Sequence, residues 1–525
     1  MVAAAHLSGL DTPRTPFANG DDLPSIIHRT ARDTPDRVAL IQGDRHVTWS
    51  ELDFAVDRVA TALGAKPRER GERVAILAAN SVEYVQAFFG ALRAGLCVVP
   101  LPVLASRETI ARMLDDCAAS VLFASAEYKD AARARLGAGS IEGVGLDFGD
   151  GDFEPFERFL CRKTGAEFGV IQGDQAFDII YSSGTTGVPK GIVHSHAARR
   201  ASYGGSRAEY FSRDAINLIA TPFYSNTTCV TWFLATATGG TNVILGKFSP
   251  DGFLAAVERH RGTHAMLVPV QYERVLESPR FSQTDLSPLR YLFSTSAPLR
   301  AETKRRILDD TRADLIEIYG LTEGGPVTVL DARKHPDKLA SVGKPAPGTD
   351  LRIVDDTGRA VGLGEAGEVI GRSGNMMAEY LNRPDETASI SLSVDGALFF
   401  KTGDLGRLDG EGFLYLLDRK KDVIISGGFN IYATDLEAVL LEHPDVAEVA
   451  VIGVPSDRWG ETPIGLVVLR PQSRVTADEL RTFCNDRVGK IQRVSSIEVR
   501  SELPKNAIGK ILKRELRAPY WGEKS

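Results

Sequence analysis

The chain alternates between short, wholly apolar runs and longer segments whose apolar residues recur every three or four positions. "RVAILAAN" and "CVVPLP" read as buried strands, and "SVEYVQAFFGALRAG" between them as a helix that ends at Gly95. "TWSELDFAVDRVATALGA" predicts a helix capped by Ser50. "TIARMLDDCAA" followed by "SVLFAS" repeats helix then strand, and the alternation continues through "NLIATPF", "TNVILG", "HAMLVPV" and "YLFSTSAP". Such a pattern predicts a large layered α/β domain with mostly parallel strands.

The texture changes near Ser341. "SVGKPAPGTDLRIVDDTGRAVGLGEAGEVIGRSG" sets Gly, Pro and Asp-Thr-Gly turns between short strands and predicts a β-rich subdomain. Its "GLGEAG", Gly362 to Gly367, matches a dinucleotide fingerprint by letter. A strand-like "EVIGR" follows where that fingerprint must open a helix, so it reads as a turn. A second change comes at "DRKKDVIISGG", after which "LEAVLLEH", "VAEVAVIGV", "PIGLVVLR" and "ADELRTFCNDRV" predict a small, mobile α+β domain. The expected division is 1–420 for the large domain and 421–525 for the small one.

Composition narrows the function. Hydrophobic content of 43% and charged content of 25% are those of an ordinary globular chain. A net charge of −7 argues against a dedicated nucleic-acid binder. No apolar run reaches the ~18 residues of a membrane span, and the N-terminal residues lack the pattern of an export signal. Cys97, Cys117, Cys161, Cys229 and Cys484 stand far apart, as reduced thiols do, so a cytoplasmic setting is expected. Only the last stretch, from Arg487, is basic, which suits a solvated helix or a surface that meets phosphates.

Four segments carry candidate chemistry. "YSSGTTGVPKG", Tyr181 to Gly191, follows the apolar run "AFDII" and so should leave a strand. Gly184 and its neighbouring glycines let backbone N–H groups approach an anion, Ser182, Ser183, Thr185 and Thr186 add hydroxyls, and Lys190 adds charge. A merely flexible turn is the alternative for the same residues. "EIYGLTEGG" places Tyr319, Thr322 and Glu323 after a strand, suited to stack on a base, bond a phosphate and hold Mg2+ through oxygen. "KTGDLGRLDGEGFLYLLDRKKD" sets Asp404 at the mouth of a turn with Arg419 beyond it, a carboxylate and a donor for a ribose diol. "PKNAIGK" puts Lys510 behind a glycine on a charged tip. His194 and His196, two apart in "IVHSH", read as structural or solvated.

With "DRKKDVIISGGFNI", these segments stand in the order found in the adenylate-forming superfamily of acyl-CoA synthetases, luciferases and peptide-synthetase adenylation domains, which the chain resembles over nearly its full length. The resemblance implies a two-step reaction: a carboxylate attacks the α-phosphate of ATP, then a thiol takes the acyl group and AMP leaves. It implies that Ser182, Ser183, Gly184, Thr185, Thr186 and Lys190 hold the phosphates and that Glu323 holds Mg2+. Glu317 and Tyr319, with Ser296, Ala297 and Pro298, would line the nucleotide site, and Thr322 would touch the α-phosphate. Asp404 and Arg419 would fix the ribose, and Lys510 would bridge acid and α-phosphate. Lys421 matches the pivot of a rotating small domain, and Ser426, Gly427 and Gly428 match the loop that admits pantetheine.

The acyl site implied by the same resemblance includes Tyr224, Ser225, Ser294, Gly324 and Gly325, with Ser225 where many members carry histidine. The small residues suggest a cavity, and Tyr224, Ser225 and Asn226 offer no acid for an α-ammonium group. A carboxylic acid with an uncharged aromatic, alicyclic or short-to-medium aliphatic tail is therefore expected, with ATP, Mg2+ and CoA. Transfer to a carrier-protein thiol and a non-catalytic nucleotide-binding role are the alternatives, and monomer and homodimer both stay open. Glu323, Asp404, Arg419 and Lys510 together speak against lost catalysis.

Overall fold

The computed structural model describes residues 22–136, 141–163, 169–182, 189–505 and 509–521. By internal contacts the chain divides into two units, Met1–Leu351 with Gly371–Phe400, and Arg352–Ile370 with Lys401–Ser525.

The first unit holds two large sheets. One is nine-stranded: its inner members Val38–Gln42, Thr241–Ile244, Ile216–Ile219, His264–Leu267, Tyr291–Ser294 and Asp314–Leu321 run parallel, and its edges turn antiparallel. The other is eight-stranded, with Arg73–Leu77 parallel to both Cys97–Pro100 and Val121–Ala124. Parallel neighbours need crossovers, and the alternating helices supply them. Helices Val82–Arg93 and Asn226–Ala237 bring Phe88, Phe89, Trp232 and Phe233 into one fully buried aromatic cluster with Phe177 and Phe223. Trp232 is thus core packing.

In the second unit Asp404 to Leu408 of strand Ala397–Leu408 pair antiparallel with Leu414–Arg419. Beyond it, Ile424–Ser426, Phe429–Ile431, Val446–Ser456, Gly460–Leu469 and Ser496–Arg500 form a sheet. One core cluster joins this sheet to helices Ala433–Leu441 and Ala477–Asn485, and a second involves Leu516 and Tyr520 of Lys513–Trp521. The α/β layers, the β-rich segment and the small α+β unit follow the pattern of the sequence. "GLGEAG" is a turn into strand Gly367–Arg372, with Gly364 at φ +81°.

Three local expectations need correction. The helix Trp49–Leu63 is capped by Thr48, whose hydroxyl accepts from the Glu51 N–H while Glu51 accepts from the Thr48 N–H. This reciprocal pair satisfies two orphan donors and outcompetes Ser50, which lies inside the first turn. Tyr319 does not follow a strand but belongs to Asp314–Leu321, because the antiparallel partner Gly324–Asp331 extends that strand. Asp404 likewise lies within strand Ala397–Leu408, directly opposite Arg419, not at the mouth of a turn. The cap is open to test by thermal and urea unfolding: Thr48→Ala should cost about 1 kcal/mol, and Ser50→Ala no more than about 0.5 kcal/mol.

Candidate functional site

In the nine-stranded sheet the candidate residues gather where parallel strands end. Tyr224 and Ser225 follow Ile216–Ile219, Ser296, Ala297 and Pro298 follow Tyr291–Ser294, and Tyr319, Thr322 and Glu323 close Asp314–Leu321. Open α/β sheets bind ligands at such carboxyl ends, where loops diverge and backbone groups are unspent.

Glu317 is opposite Ser294 in the parallel register and only 2% exposed. It pairs with the equally buried Lys304 and accepts from the Leu299 N–H at 3.2 Å. Burial pushes its pKa up, and Lys304 works against that. Its carboxylate therefore braces the Ser296–Leu299 turn from beneath. Ser296 itself has φ +79°, the left-handed region that a serine rarely occupies, and its hydroxyl lies 2.5 Å from that of Thr227. Strain in a loop at a strand end is what a pre-shaped binding turn would show.

The glycine-rich stretch joins two antiparallel strands, Ala176–Ser182 and Lys190–Ser195, in register at Ser182 and Lys190. Ser183, Gly184, Thr185 and Thr186 lie outside the described residues. Tyr181 anchors the approach, donating to Asp116 at 2.8 Å and to the Met113 carbonyl at 3.1 Å. At the far end Lys190 pairs with Glu386, and its ammonium sits 5.1 Å from the centre of the Tyr380 ring. The Tyr380 hydroxyl donates to Glu323 at 2.7 Å. Burial, then the negative Glu323, raise the Tyr380 pKa, so the phenol keeps its proton and orients the carboxylate. Tyr380 thus links the cation expected at the phosphates to the carboxylate expected at Mg2+. No short-range spacing announces it, since Glu323 is far away in sequence.

Thr322 is held through its carbonyl by His194 Nε2 at 2.7 Å. His194 is almost fully buried and His196 similarly so; burial lowers the His196 pKa to about 4. Both are structural, as expected.

At the acyl positions Ser225 caps helix Asn226–Ala237, accepting from the Thr227 N–H at 3.3 Å. Tyr224 is buried, which pushes its pKa to about 12. Its hydroxyl and that of the fully buried Ser294 have no hydrogen-bond partner among the described residues. Gly324 and Gly325 do not open a cavity through missing side chains. A Cβ on Gly324 would meet the Asn375 carbonyl at 2.3 Å, one on Gly325 would meet Phe400 at 2.9 Å, and both residues have positive φ. Backbone geometry requires these glycines, and a ligand would meet only their main chain.

In the small unit Asp404 and Arg419 form an ion pair at 2.5 Å, with Asp404 largely buried and Arg419 about a third exposed. Lys510 lies beside them. The residue as a whole is exposed, yet enough protein surrounds its ammonium end to bring the pKa down to about 8. Burial is the main cause; Arg419 and Lys421 repel the charge, and Asp404 and Asp422 partly offset them. The Lys421 carbonyl accepts from Arg517 at 3.0 Å, and the same guanidinium pairs with Asp422 at 3.0 Å. Ser426 and Phe429 are paired across a tight turn made by Gly427 and Gly428, both at positive φ.

With this geometry in hand, comparison with known proteins is specific. The model of the AMP-binding enzyme family matches residues 27–381, and that of the AMP-binding enzyme C-terminal domain matches residues 435–510. A feruloyl-CoA synthase from Amycolatopsis sp is 35% identical, with 94% of this chain and 98% of that protein covered. An indoleacetate–CoA ligase from Aromatoleum aromaticum is 34% identical over the same shares of the two chains. The crystal structure of ATP-bound MatB from Rhodopseudomonas palustris superposes with a TM-score of 0.84 at 27% identity, covering 95% of this chain and 99% of that one. The chain belongs to the AMP-binding enzymes, on their adenylate-forming acyl-CoA synthetase branch.

Proposed function

We propose that the protein joins a carboxylic acid with an uncharged tail to coenzyme A through an acyl-adenylate, with release of pyrophosphate and then AMP. The observation that carries this reading is the Lys510 ammonium within electrostatic reach of the Asp404–Arg419 pair, a pair that we read as a ribose clamp. The acid is ionised at neutral pH and needs no base. The obstacle is repulsion between two anions, and a positioned cation that screens it lowers the barrier electrostatically. Lys510 takes that role toward acid and α-phosphate. The Thr322 hydroxyl donates to the α-phosphate, Asp404 accepts from the ribose hydroxyls, and Arg419 donates beside it.

The adenine lies between Tyr319 and the Ser296, Ala297, Pro298 turn, which Glu317 braces from beneath. Ser182, Ser183, Gly184, Thr185, Thr186 and Lys190 face the β- and γ-phosphates. Glu323 is a single oriented carboxylate; Mg2+ sites use one or two carboxylates with the substrate's own phosphates, so the residue fits that ion. Bound Mg2+ would neutralise phosphate charge. The thiol of CoA then attacks the acyl carbonyl and AMP departs. Ser426, Gly427 and Gly428 border the pantetheine path, and we assign the pivot to Lys421, between 1–420 and 421–525. A cytoplasmic setting belongs to the same proposal, supported by five unpaired cysteines.

Two features favour an acid with an uncharged, aromatic tail. Tyr224, Ser225 and Ser294 include no charged group, while the buried Tyr224 and Ser294 hydroxyls offer hydrogen bonds to a polar substituent. The relatives named for feruloyl and indoleacetate groups point the same way. Pyrophosphate release measured across a panel of carboxylic acids tests this. Aromatic acids should release pyrophosphate without CoA and form acyl-CoA only with it; release of ADP, or activity confined to amino acids, would contradict it.

Lys510 allows a second test. Its charged form is the working one and its pKa is lowered to about 8, so protonation is lost as pH rises through that value. Adenylation kcat/KM should therefore fall about tenfold per pH unit above pH 8. Lys510→Arg should move that fall upward, and Lys510→Ala should lower adenylation by about 100-fold or more. An unchanged alkaline limb in Lys510→Arg would remove Lys510 from this role.

A further inference from the structure

We propose that Asp178, His194 and Arg199 form a buried brace that positions Thr322 for the α-phosphate and ties it to the start of the acyl-site helix through Asn226. The inference rests on the reading of Thr322 above, and none of the three residues is assigned a contact with substrate.

Asp178 has no exposed surface and lies on the strand that leads into the glycine-rich stretch. Arg199, 4% exposed, grips both of its oxygens, Nε to Oδ1 at 3.1 Å and Nη2 to Oδ2 at 2.6 Å. His194, on the neighbouring strand, sets Nδ1 at 2.8 Å from Asp178 Oδ1 and Nε2 at 2.7 Å from the Thr322 carbonyl. A carbonyl oxygen only accepts, so Nε2 carries a hydrogen and donates. At the other end Arg199 Nη1 donates to Asn226 Oδ1 at 2.7 Å, and the guanidinium lies 5.8 Å from the centre of the Phe233 ring. Asn226 follows Tyr224 and Ser225 directly, and the next residue, Thr227, bonds Ser296. With Nε2 donating to Thr322, Nδ1 accepts from Arg199 Nη2 at 3.2 Å, or donates to Asp178 where both ring nitrogens carry hydrogen. Either way an unbroken chain of hydrogen bonds runs from Thr322 to the first turn of the acyl-site helix, and that turn also holds Ser296.

Packing alone does not call for such a set. Desolvating a carboxylate, a guanidinium and an imidazole is costly, and apolar residues of similar volume would fill the space at least as stably. Burial opposes ionisation of Asp178, yet Arg199 and His194 outweigh it and its pKa is lowered. What the charges provide is direction: both ends of the network terminate on loops of the site. The Thr322 carbonyl receives a directed bond from rigid, dry surroundings, so its hydroxyl is presented from a fixed backbone. Misplacement of a reacting group by about 1 Å is enough to cost on the order of 100-fold in rate.

The two amides of different reach separate the bonds of His194. Asparagine carries its N–H where Nδ1 was, toward Asp178; glutamine carries it where Nε2 was, toward Thr322. In ATP–pyrophosphate exchange with the best acid of the panel, His194→Asn should lose about 10-fold in kcat with KM for ATP within about 2-fold. His194→Gln should recover most of that loss. Thr322→Ala keeps the carbonyl but removes the hydroxyl, so adding His194→Asn to it should cost less than about 2-fold further. Arg199→Lys, which keeps the charge but gives up one bond to Asp178, should show the same non-additivity. Additive losses, or equal loss in the two amides with Thr322→Ala itself impaired, would overturn the brace. A fully active Thr322→Ala would instead overturn the α-phosphate reading on which it rests.

Discussion

Charge that is meant to meet a polyphosphate cannot be left bare in a folded protein, because an unpaired, partly buried ion costs several kcal/mol. Four cations are accordingly each held by a carboxylate of their own unit: Lys190 by Glu386, Lys304 by Glu317 and Arg199 by Asp178 in the first, and Arg419 by Asp404 in the second. The pairs fall into two kinds. Lys304, Glu317, Arg199 and Asp178 are all at most 4% exposed and stay dry, so they fix loops. Lys190 and Arg419 retain exposure, and they are the two that the proposed reaction would turn toward the nucleotide.

The scaffold makes this division possible. Parallel strands of the nine-stranded sheet end together, so loops that are distant in sequence emerge side by side. Dry pairs brace those loops from below. In the small unit a different device serves: Asp404 and Arg419 face each other in antiparallel register, which aligns a carboxylate and a guanidinium without help from a loop.

Much of this was legible in the sequence, and the gaps have physical causes. Strand–helix alternation marked the layered unit because apolar periodicity is local. The glycine-rich, Asp404, Arg419 and Lys510 segments stood out because their chemistry is concentrated in a few residues. Thr48 and Ser50 are two hydroxyls at the start of the same helix, and only the reciprocal bond with Glu51 makes Thr48 the cap. Gly324 and Gly325 were read as room for a substrate, whereas they answer to the close approach of Asn375 and Phe400, a contact distant in sequence. Tyr380, Asp178 and Arg199, and the partners of His194, are not announced by the sequence for a related reason: their meaning lies in groups that only folding brings near.

The proposed reaction turns on one bond, formed between a carboxylate oxygen and the α-phosphorus. The direct measurement is isotopic: an active acid labelled with 18O in its carboxylate is turned over with ATP and CoA, and the nucleotide and pyrophosphate are analysed by mass. Thiol attack on the adenylate's carbonyl leaves the bridging oxygen with phosphorus, so AMP should carry one labelled atom and pyrophosphate none. Unlabelled AMP, or label in inorganic phosphate with ADP as product, would show that the α-phosphorus is not where acid and nucleotide meet.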